Sequence, residues 1–156
     1  PIVAEAGAFT EEKMKNLVSL LNGAQSALAD LGKKVAIECE FQVPIIKKLL
    51  EELDPSVYGI NFDMGNSAAL GNSAVEEITA CRDRIFNVHV KDRILGGKTV
   101  PLGHGSVDFE EVSKSLQDIG YMGNMIMQAA RDFNRPEIQV ISEYISFCKD
   151  LGWVND

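Results

Sequence analysis

The sequence has few of the features that mark secreted, membrane or nucleic-acid-binding proteins. Its three cysteines, Cys39, Cys81 and Cys148, are far apart and form no CxxC pair, which disfavours a disulfide framework or a cysteine zinc site and fits a reducing compartment. No apolar run approaches the roughly 18–20 residues of a membrane span, and the first residues do not resemble a secretory signal. We therefore expect a cytoplasmic protein with no membrane partner.

Basic residues are also in the minority. The chain has 15 Lys+Arg against 23 Asp+Glu and a formal net charge of -8. An acidic surface repels phosphate backbones, so we expect no nucleic-acid partner, whereas a cation or a metal ion is easier to accommodate.

What the sequence does contain is an ordinary globular composition, with 46% hydrophobic residues over 156 positions, which predicts one domain over residues 1–156. Strand-like runs alternate with helical ones, and this order predicts an α/β fold with a parallel sheet. The last predicted helix begins at Pro136 and has an apolar stripe of Ile138, Ile141, Ile145 and Cys148. The other predicted helices lie near 10–31, 43–53, 74–82 and 108–119, and the predicted strands are Ile2–Glu5, Lys34–Glu40, Val57–Asp63, Arg84–Lys91 and Asn124–Gln128.

The predicted strands have one apolar face and one face that becomes polar toward the C-terminal end. Ile37 and Cys39 point away from Glu38, for example, because side chains alternate along a strand. This pattern favours a barrel, whose inner face gathers active-site groups at the C-terminal strand ends. An open doubly wound sheet also fits the length, but it would have to bury residues such as Glu38 and His89 under helices.

Four side chains at the ends of four different strands are candidates for chemistry. Glu38, Asp63, His89 and Gln128 together offer the oxygen and nitrogen donors that Mn²⁺, Mg²⁺, Co²⁺ or Zn²⁺ can bind. Taken singly, the carboxylates are equally compatible with solvated strand ends and His89 with a hydrogen-bonded core histidine. Their occurrence on one inferred face favours a divalent metal site.

The segments VAIECEF, NFDMGN, NVHVKDR and VPLGHGSVDF occur in the order in which they stand in the sugar-phosphate isomerase/epimerase family, and the chain resembles that family over nearly its whole length. The resemblance implies a partial (β/α)₈ TIM barrel of the xylose-isomerase-like superfamily, with about five βα units that correspond to strands 4–8. It is most similar to the pentulose- and hexulose-phosphate 3-epimerases. By this resemblance Glu38, Asp63, His89 and Gln128 are the metal positions and Glu38 is also catalytic. Asn66, Lys91, His104 and Arg131 become candidates for substrate binding, although His104 and Arg131 are equally compatible with plain solvent exposure.

The activity that the resemblance implies is proton transfer next to the carbonyl of a metal-bound ketose or ketose phosphate. Gln128 departs from the family pattern, which has a glutamate there, and glutamine cannot titrate. A full barrel needs about 250 residues, so three βα units are expected to be missing, and we expect self-association or pairing with an N-terminal half.

Other functions also fit the sequence. Inosose dehydratase or hydroxypyruvate isomerase activity is one alternative, and a catalytically inactive binding or assembly protein is another. An abasic-site endonuclease is disfavoured because such enzymes need more metal-binding residues than the two histidines here provide.

Overall fold

A computed structural model of the chain describes residues 2–4 and 10–154. Strands β1–β7 cover Ile2–Ala4, Val35–Cys39, Tyr58–Asp63, Ile85–Val90, Asp92–Arg93, Thr99–Val100 and Met125–Met127. Helices α1–α6 cover Glu11–Asp30, Val43–Glu51, Met64–Ala69, Ala74–Cys81, Phe109–Asp118 and Glu137–Asp150. Glu5, the predicted end of the first strand, lies outside the described residues.

The main sheet contains five parallel strands in the order β1-β2-β3-β4-β7, which is also their order along the chain. The predicted α/β fold with a parallel sheet is therefore confirmed. A doubly wound sheet reverses its strand order at a switch point, and this sheet does not, so the doubly wound alternative is wrong. Strands that follow one another in a single direction are the arrangement from which a barrel is built.

Local signals in the sequence set the ends of the helices. The Thr10 hydroxyl accepts a hydrogen bond from the backbone N–H of Lys13, and the Asp108 carboxylate accepts one from that of Glu111. These are N-cap bonds, which satisfy donors that the first turn of a helix leaves free. Gly32, at a φ of 60°, follows α1 in the left-handed conformation that glycine adopts without strain.

The apolar core lies between the sheet and its helices. Ile37, Ile60 and Val88 from three neighbouring strands are buried there together with Ile46 and Ile78 from α2 and α4. This burial confirms the predicted apolar face of the strands. Because side chains alternate, it also leaves the polar residues of β2, β3 and β4 on the opposite face.

Helix α6 corrects one prediction. Ile138 is 70% exposed, and Ile141 and Ile145 are also exposed, whereas Val140 and Tyr144 are buried. The buried stripe of α6 is thus Val140, Tyr144 and Cys148, and of the predicted stripe only Cys148 belongs to it. The Tyr144 hydroxyl, which donates to the carbonyl of Ala130, helps to fix the helix in this rotation.

Four shorter elements are absent from the sequence prediction. Helix α3 begins directly after Asp63, and β5 and β6 form a small antiparallel hairpin just beyond β4. A 3₁₀ turn over Arg82–Arg84 leads into β4. Within the part of the chain that the structure describes, no helix is both long enough and apolar enough to cross a membrane.

Candidate metal centre

Three of the four candidate ligands lie together on the polar face of the sheet. One donor atom each from Glu38, Asp63 and His89 lies within 4.8 Å of the others. His89 Nδ1 is 3.2 Å from Glu38 Oε2 and 3.7 Å from Asp63 Oδ2. All three residues are buried, so their donors converge on a small space.

An irregularity between β3 and β4 brings His89 onto this face. Ile60 is paired with Ile85, but the next pair is Asn61 with Asn87, so Phe86 is an extra residue in β4. A one-residue shift of register moves every later side chain to the other face of the sheet. The bulge thereby pairs His89 with Asp63, so that both side chains lie on the same face of the sheet.

The donor set fits a divalent cation. Two atoms that each coordinate one ion at about 2.0–2.2 Å can be at most roughly 4.4 Å apart, and the observed separations are close to or below that limit. Two carboxylates and an imidazole suit Zn²⁺, Mn²⁺ or Co²⁺, because imidazole is a good ligand for transition metals. The geometry therefore supports a divalent metal site.

Two asparagines bracket the Glu38 carboxylate. Asn61 Nδ2 donates to Glu38 Oε2 at 2.8 Å, and Asn66 Nδ2 donates to Glu38 Oε1 at 3.1 Å. The first amide also lies 3.0 Å from His89 Nδ1, and its Oδ1 accepts a 2.6 Å hydrogen bond from Asn87. Each carboxylate oxygen is thus oriented by a separate amide.

The two carboxylate oxygens of Asp63 have different contacts. Its Oδ1 accepts the backbone N–H of Asn66 at 2.8 Å and so caps the first turn of α3. Its Oδ2 lies 3.3 Å from Lys91 Nζ and is the oxygen that faces His89. The short helix α3 therefore begins at a candidate ligand, and this helix carries Asn66 back toward Glu38.

Two cations fix the orientation of the Asn66 amide. Lys91 Nζ and Arg93 Nη1 donate to Asn66 Oδ1 at 3.1 and 2.8 Å. Because they occupy the oxygen of the amide, its nitrogen is left to face Glu38. Arg93 also forms an ion pair with Glu40 at 3.2 Å.

A loop beyond β4 is attached to the site through Asp92. This fully buried carboxylate accepts the backbone N–H groups of Gly105 and Val107 at 2.8 and 3.2 Å. A Cβ at Gly105 would overlap Asp92 Oδ1, so the close approach requires glycine. The loop that contains His104 is therefore held against β5 by its backbone.

The remaining candidates lie at the margin of the site. Gln128 follows β7, and because His89 is paired with Ile126, alternation puts Gln128 on the face of His89 but two positions farther along. His104, Gln128 and Arg131 are exposed, and within residues 10–154 their side chains form no hydrogen bond or ion pair. The structure thus brings Asn66 and Lys91 into the network of Glu38 and Asp63, and leaves these three outside it.

A second buried acid lies outside the candidate ligand set. Glu77 accepts hydrogen bonds from Ser67 Oγ at 2.6 Å and from Asn72 Nδ2 at 3.0 Å. Burial raises the pKa of Glu77 above its usual value, and burial likewise raises the pKa of Cys81 to about 12. Burial also raises the pKa of Cys39, so neither thiol is a ready nucleophile.

Sequence reasoning did not assign a role to Asn61, Asn87 or Arg93. A signal for the first two was present, because Asn61 precedes Asp63 by two positions and Asn87 precedes His89 by two. Period-2 alternation puts each on the face of the ligand that it precedes. Arg93 reaches the site from the hairpin, and the hairpin has no comparable signal.

Comparison with known proteins gives consistent matches. Residues 2–151 match the family described as xylose isomerase-like TIM barrel. An inosose dehydratase from Clostridium tetani is 28% identical over 156 aligned positions, which cover 85% of this chain and 52% of that protein. An L-ribulose-5-phosphate 3-epimerase UlaE from Salmonella paratyphi A is 40% identical over 67 residues, or 42% of this chain and 24% of that protein.

Among solved structures, the IolI protein with a bound zinc atom superposes with a TM-score of 0.75 at 18% identity and covers 96% of this chain and 61% of that one. The chain spans about half the length of the curated inosose dehydratase that it matches. At 18% identity, the similarity to the IolI structure is evidence for the fold alone.

Proposed function

The chain belongs to the xylose isomerase-like TIM barrel family, and from that premise we propose that it moves a proton next to the carbonyl of a sugar or sugar phosphate with the help of a divalent cation. The observation that carries the proposal is the buried group of Glu38, Asp63 and His89, whose donors lie within 4.8 Å of one another. Charged groups are rarely buried together unless they have a partner of opposite charge, and a cation is such a partner.

In this proposal Glu38, Asp63 and His89 hold Mn²⁺, Mg²⁺, Co²⁺ or Zn²⁺. A cation bound there would polarise a substrate carbonyl and stabilise the negative charge that develops on its oxygen. The zinc atom bound to the IolI protein supports a divalent metal in this fold. The imidazole of His89 favours a transition metal over Mg²⁺.

Glu38 is the proposed proton acceptor. Asn61 and Asn66 each donate to one of its oxygens, so the carboxylate is held in one orientation on the polar face. An oriented base of this kind contributes roughly 10²–10⁴-fold to a rate. Its removal should therefore stop proton transfer without dismantling the sheet.

Gln128 limits the reaction type. A two-base epimerisation needs a second ionisable group on the opposite side of the substrate, and glutamine at this position cannot supply a proton. One-base chemistry through Glu38 needs only one carboxylate. It is compatible with an isomerisation in which the same group returns the proton, and with the loss of water.

Inosose dehydratase activity is accordingly the second candidate. The specific observation in its favour is the match to the Clostridium tetani enzyme over 85% of this chain, compared with 42% for the L-ribulose-5-phosphate 3-epimerase. Both reactions would begin with the same proton removal by Glu38. In the dehydration a C–O bond then breaks and water leaves, whereas in the isomerisation the proton is returned to the substrate and no group leaves.

The substrate would be contacted at the margin of the site. Lys91 and Asn66 lie beside Asp63, and His104 and Arg131 are exposed. Arg131 lines a surface cavity of about 220 Å³ between the end of β7 and α6. We assign all four to substrate binding as part of this proposal.

The working protein is proposed to contain further strands. In the described sheet β1 and β7 are the edges, and Ile138, Ile141 and Ile145 of α6 are exposed on their helix. Unpaired strand edges promote association, either with a second copy or with an N-terminal half. Light scattering should show a species larger than one chain, and a stable monomer at high concentration would contradict this part.

A deuterium-exchange experiment tests the proposed reaction. The full chain, loaded with Mn²⁺ in D₂O, is incubated separately with an inosose and with L-ribulose 5-phosphate, and ¹H NMR follows the proton next to the carbonyl. We expect loss of that signal with one substrate and none with the Glu38→Gln variant. If neither substrate exchanges although Mn²⁺ is bound, the chain is instead the inactive binding or assembly protein.

A further inference from the structure

Asn61 lies between two of the three candidate ligands. Its Nδ2 is 2.8 Å from Glu38 Oε2 and 3.0 Å from His89 Nδ1, and the residue is only 2% exposed. One N–H₂ group therefore serves a carboxylate and an imidazole that would both face a bound cation.

The contact between Asn61 and the imidazole matters because an unprotonated ring nitrogen has a single lone pair. An amide nitrogen only donates, so the contact is a hydrogen bond in the ring tautomer whose Nδ1 is unprotonated. That nitrogen has one lone pair, and the lone pair can point either to the Asn61 hydrogen or to a metal ion. Glu38 is different, because a carboxylate oxygen can accept a hydrogen bond and coordinate an ion at the same time.

Asn87 holds the Asn61 amide in this orientation. Its Nδ2 donates to Asn61 Oδ1 at 2.6 Å, and the bulge at Phe86 is what aligns the two asparagines as a pair. If the Asn61 amide turned over, its oxygen would face the Glu38 carboxylate and its N–H₂ group would face the N–H₂ group of Asn87. Both contacts would be repulsive, so the donor side remains directed at the ligands.

We propose that Asn61, held in place by Asn87, competes with the divalent cation for His89 Nδ1 and so weakens and tunes cation binding at the centre. This inference rests on the proposed metal site but concerns a residue outside its ligand set. Its role is to position a competing donor, and it does not contact the substrate. The competition has a definite sign, because removal of the competitor tightens binding.

Calorimetric titration of Mn²⁺ into the full chain and into Asn61→Leu provides the test. Leucine is similar in size but has no donor, so His89 Nδ1 loses the competing amide, and Glu38 is still oriented by Asn66 through its other oxygen. We expect Mn²⁺ to bind about fivefold more tightly to the variant, the equivalent of one net hydrogen bond of about 1 kcal/mol. Partners that support metal ligands behave in the opposite way, and their loss weakens binding about 10- to 100-fold. Weaker or unchanged binding in Asn61→Leu would thus overturn the inference.

A second variant protects the test against misfolding. Asn87→Ala removes the group that holds the Asn61 oxygen and leaves Asn61 itself in place. We expect tightening of about twofold, because the amide can then turn away from His89. Asn72→Leu is the matched control, since Asn72 bonds Glu77 and Phe41 but none of the candidate ligands. It should lower stability and leave Mn²⁺ affinity unchanged.

The ¹⁵N chemical shifts of the His89 imidazole give a readout that needs neither activity nor metal. In protein treated with chelator, Nδ1 should show the shift of a hydrogen-bonded acceptor, and Asn61→Leu should move it to that of a free nitrogen. A protonated Nδ1 in the wild type would refute the competition directly. The titrations separate the two failures: equal binding by wild type and variant overturns the inference alone, and no binding by either overturns the proposed metal site, and the inference with it.

Discussion

The carboxyl ends of β2, β3 and β4 differ sharply from that of β7. At the first three, Glu38, Asp63 and His89 are buried and each contacts at least two polar partners. At the fourth, Gln128 is exposed and its side chain has no hydrogen bond within residues 10–154. The first region is flanked by strands on both sides, whereas β7 has one neighbour in the described sheet. Among these four strand ends, the preorganised site therefore lies where the strands have a neighbour on each side.

The largest effect is expected on Mn²⁺ affinity, in a comparison of two aspartates that both cap a helix. Asp63 and Asp108 both accept a backbone N–H at the start of a helix, but only Asp63 also faces His89 and Lys91. Asp63→Asn should weaken Mn²⁺ binding by about 100-fold or more, since even the partners of ligands are worth about 10- to 100-fold. Asp108→Asn should change the free energy of unfolding by about 1 kcal/mol or less and leave Mn²⁺ affinity unchanged. Equal effects of the two variants on affinity, measured by calorimetry, would contradict the special role of the β3 end.

The loop attached to Asp92 extends the preorganised region. Gly105→Ala puts a Cβ against Asp92 Oδ1, the carboxylate oxygen that accepts the backbone N–H of Val107. We expect a loss of about 1–3 kcal/mol in the free energy of unfolding, measured by urea denaturation. Gly96→Ala is a useful control, because a Cβ there meets no atom and only the positive φ of 63° opposes it. A smaller loss at Gly105 than at Gly96 would show that the loop is not held as described.

The buried acid Glu77 should make stability depend on pH. Because burial raises its pKa in the folded protein above the ordinary 4.5, Glu77 favours folding fully below that value, and this contribution is lost as pH rises through the raised pKa. Glu77→Gln keeps an acceptor for Ser67 and Asn72 but has no charge to bury. The unfolding free energy of the variant minus that of the wild type should therefore be larger at neutral pH than at acidic pH, by on the order of 1 kcal/mol. If urea denaturation gives the same difference in unfolding free energy between variant and wild type at both pH values, the proposed role of Glu77 is contradicted.

The smallest effect is expected at the β7 end. Gln128→Glu restores an ionisable group on the face of His89, but at an exposed position two residues beyond the one that pairs with His89. We expect Mn²⁺ to bind a few-fold more tightly, because an exposed charge is worth roughly 0–1 kcal/mol. An increase as large as the loss caused by Asp63→Asn would mean that β7 is preorganised after all. No change at all would place Gln128 outside the site.

Much of the fold could be predicted because it depends on local patterns. The alternation of strands and helices, the caps at Thr10 and Asp108 and the polar face of the strands all follow from residue type and spacing. The prediction that Glu38, Asp63 and His89 share one face depended on the same alternation. The structure shows these three side chains together, and their roles stay predictions.

The features that escaped prediction depend on contacts between distant segments. The bulge at Phe86 concerns the register between two strands, and alternation within one strand does not determine that register. Helix α6 has two apolar stripes of similar spacing, so periodicity alone could not choose between Ile141 and Tyr144 as the buried side. Asn61 shares a face with Asp63, but its bonds to Glu38 and His89 exist only once three strands are assembled.

Whether the enclosed strand ends hold a divalent cation is decided by titration of Mn²⁺ into the full chain after removal of metal with chelator. We predict saturable binding of about one ion per chain in the wild type, and loss of that binding in His89→Ala. The absence of uptake under any loading condition, or binding that His89→Ala leaves intact, would contradict the proposed metal centre.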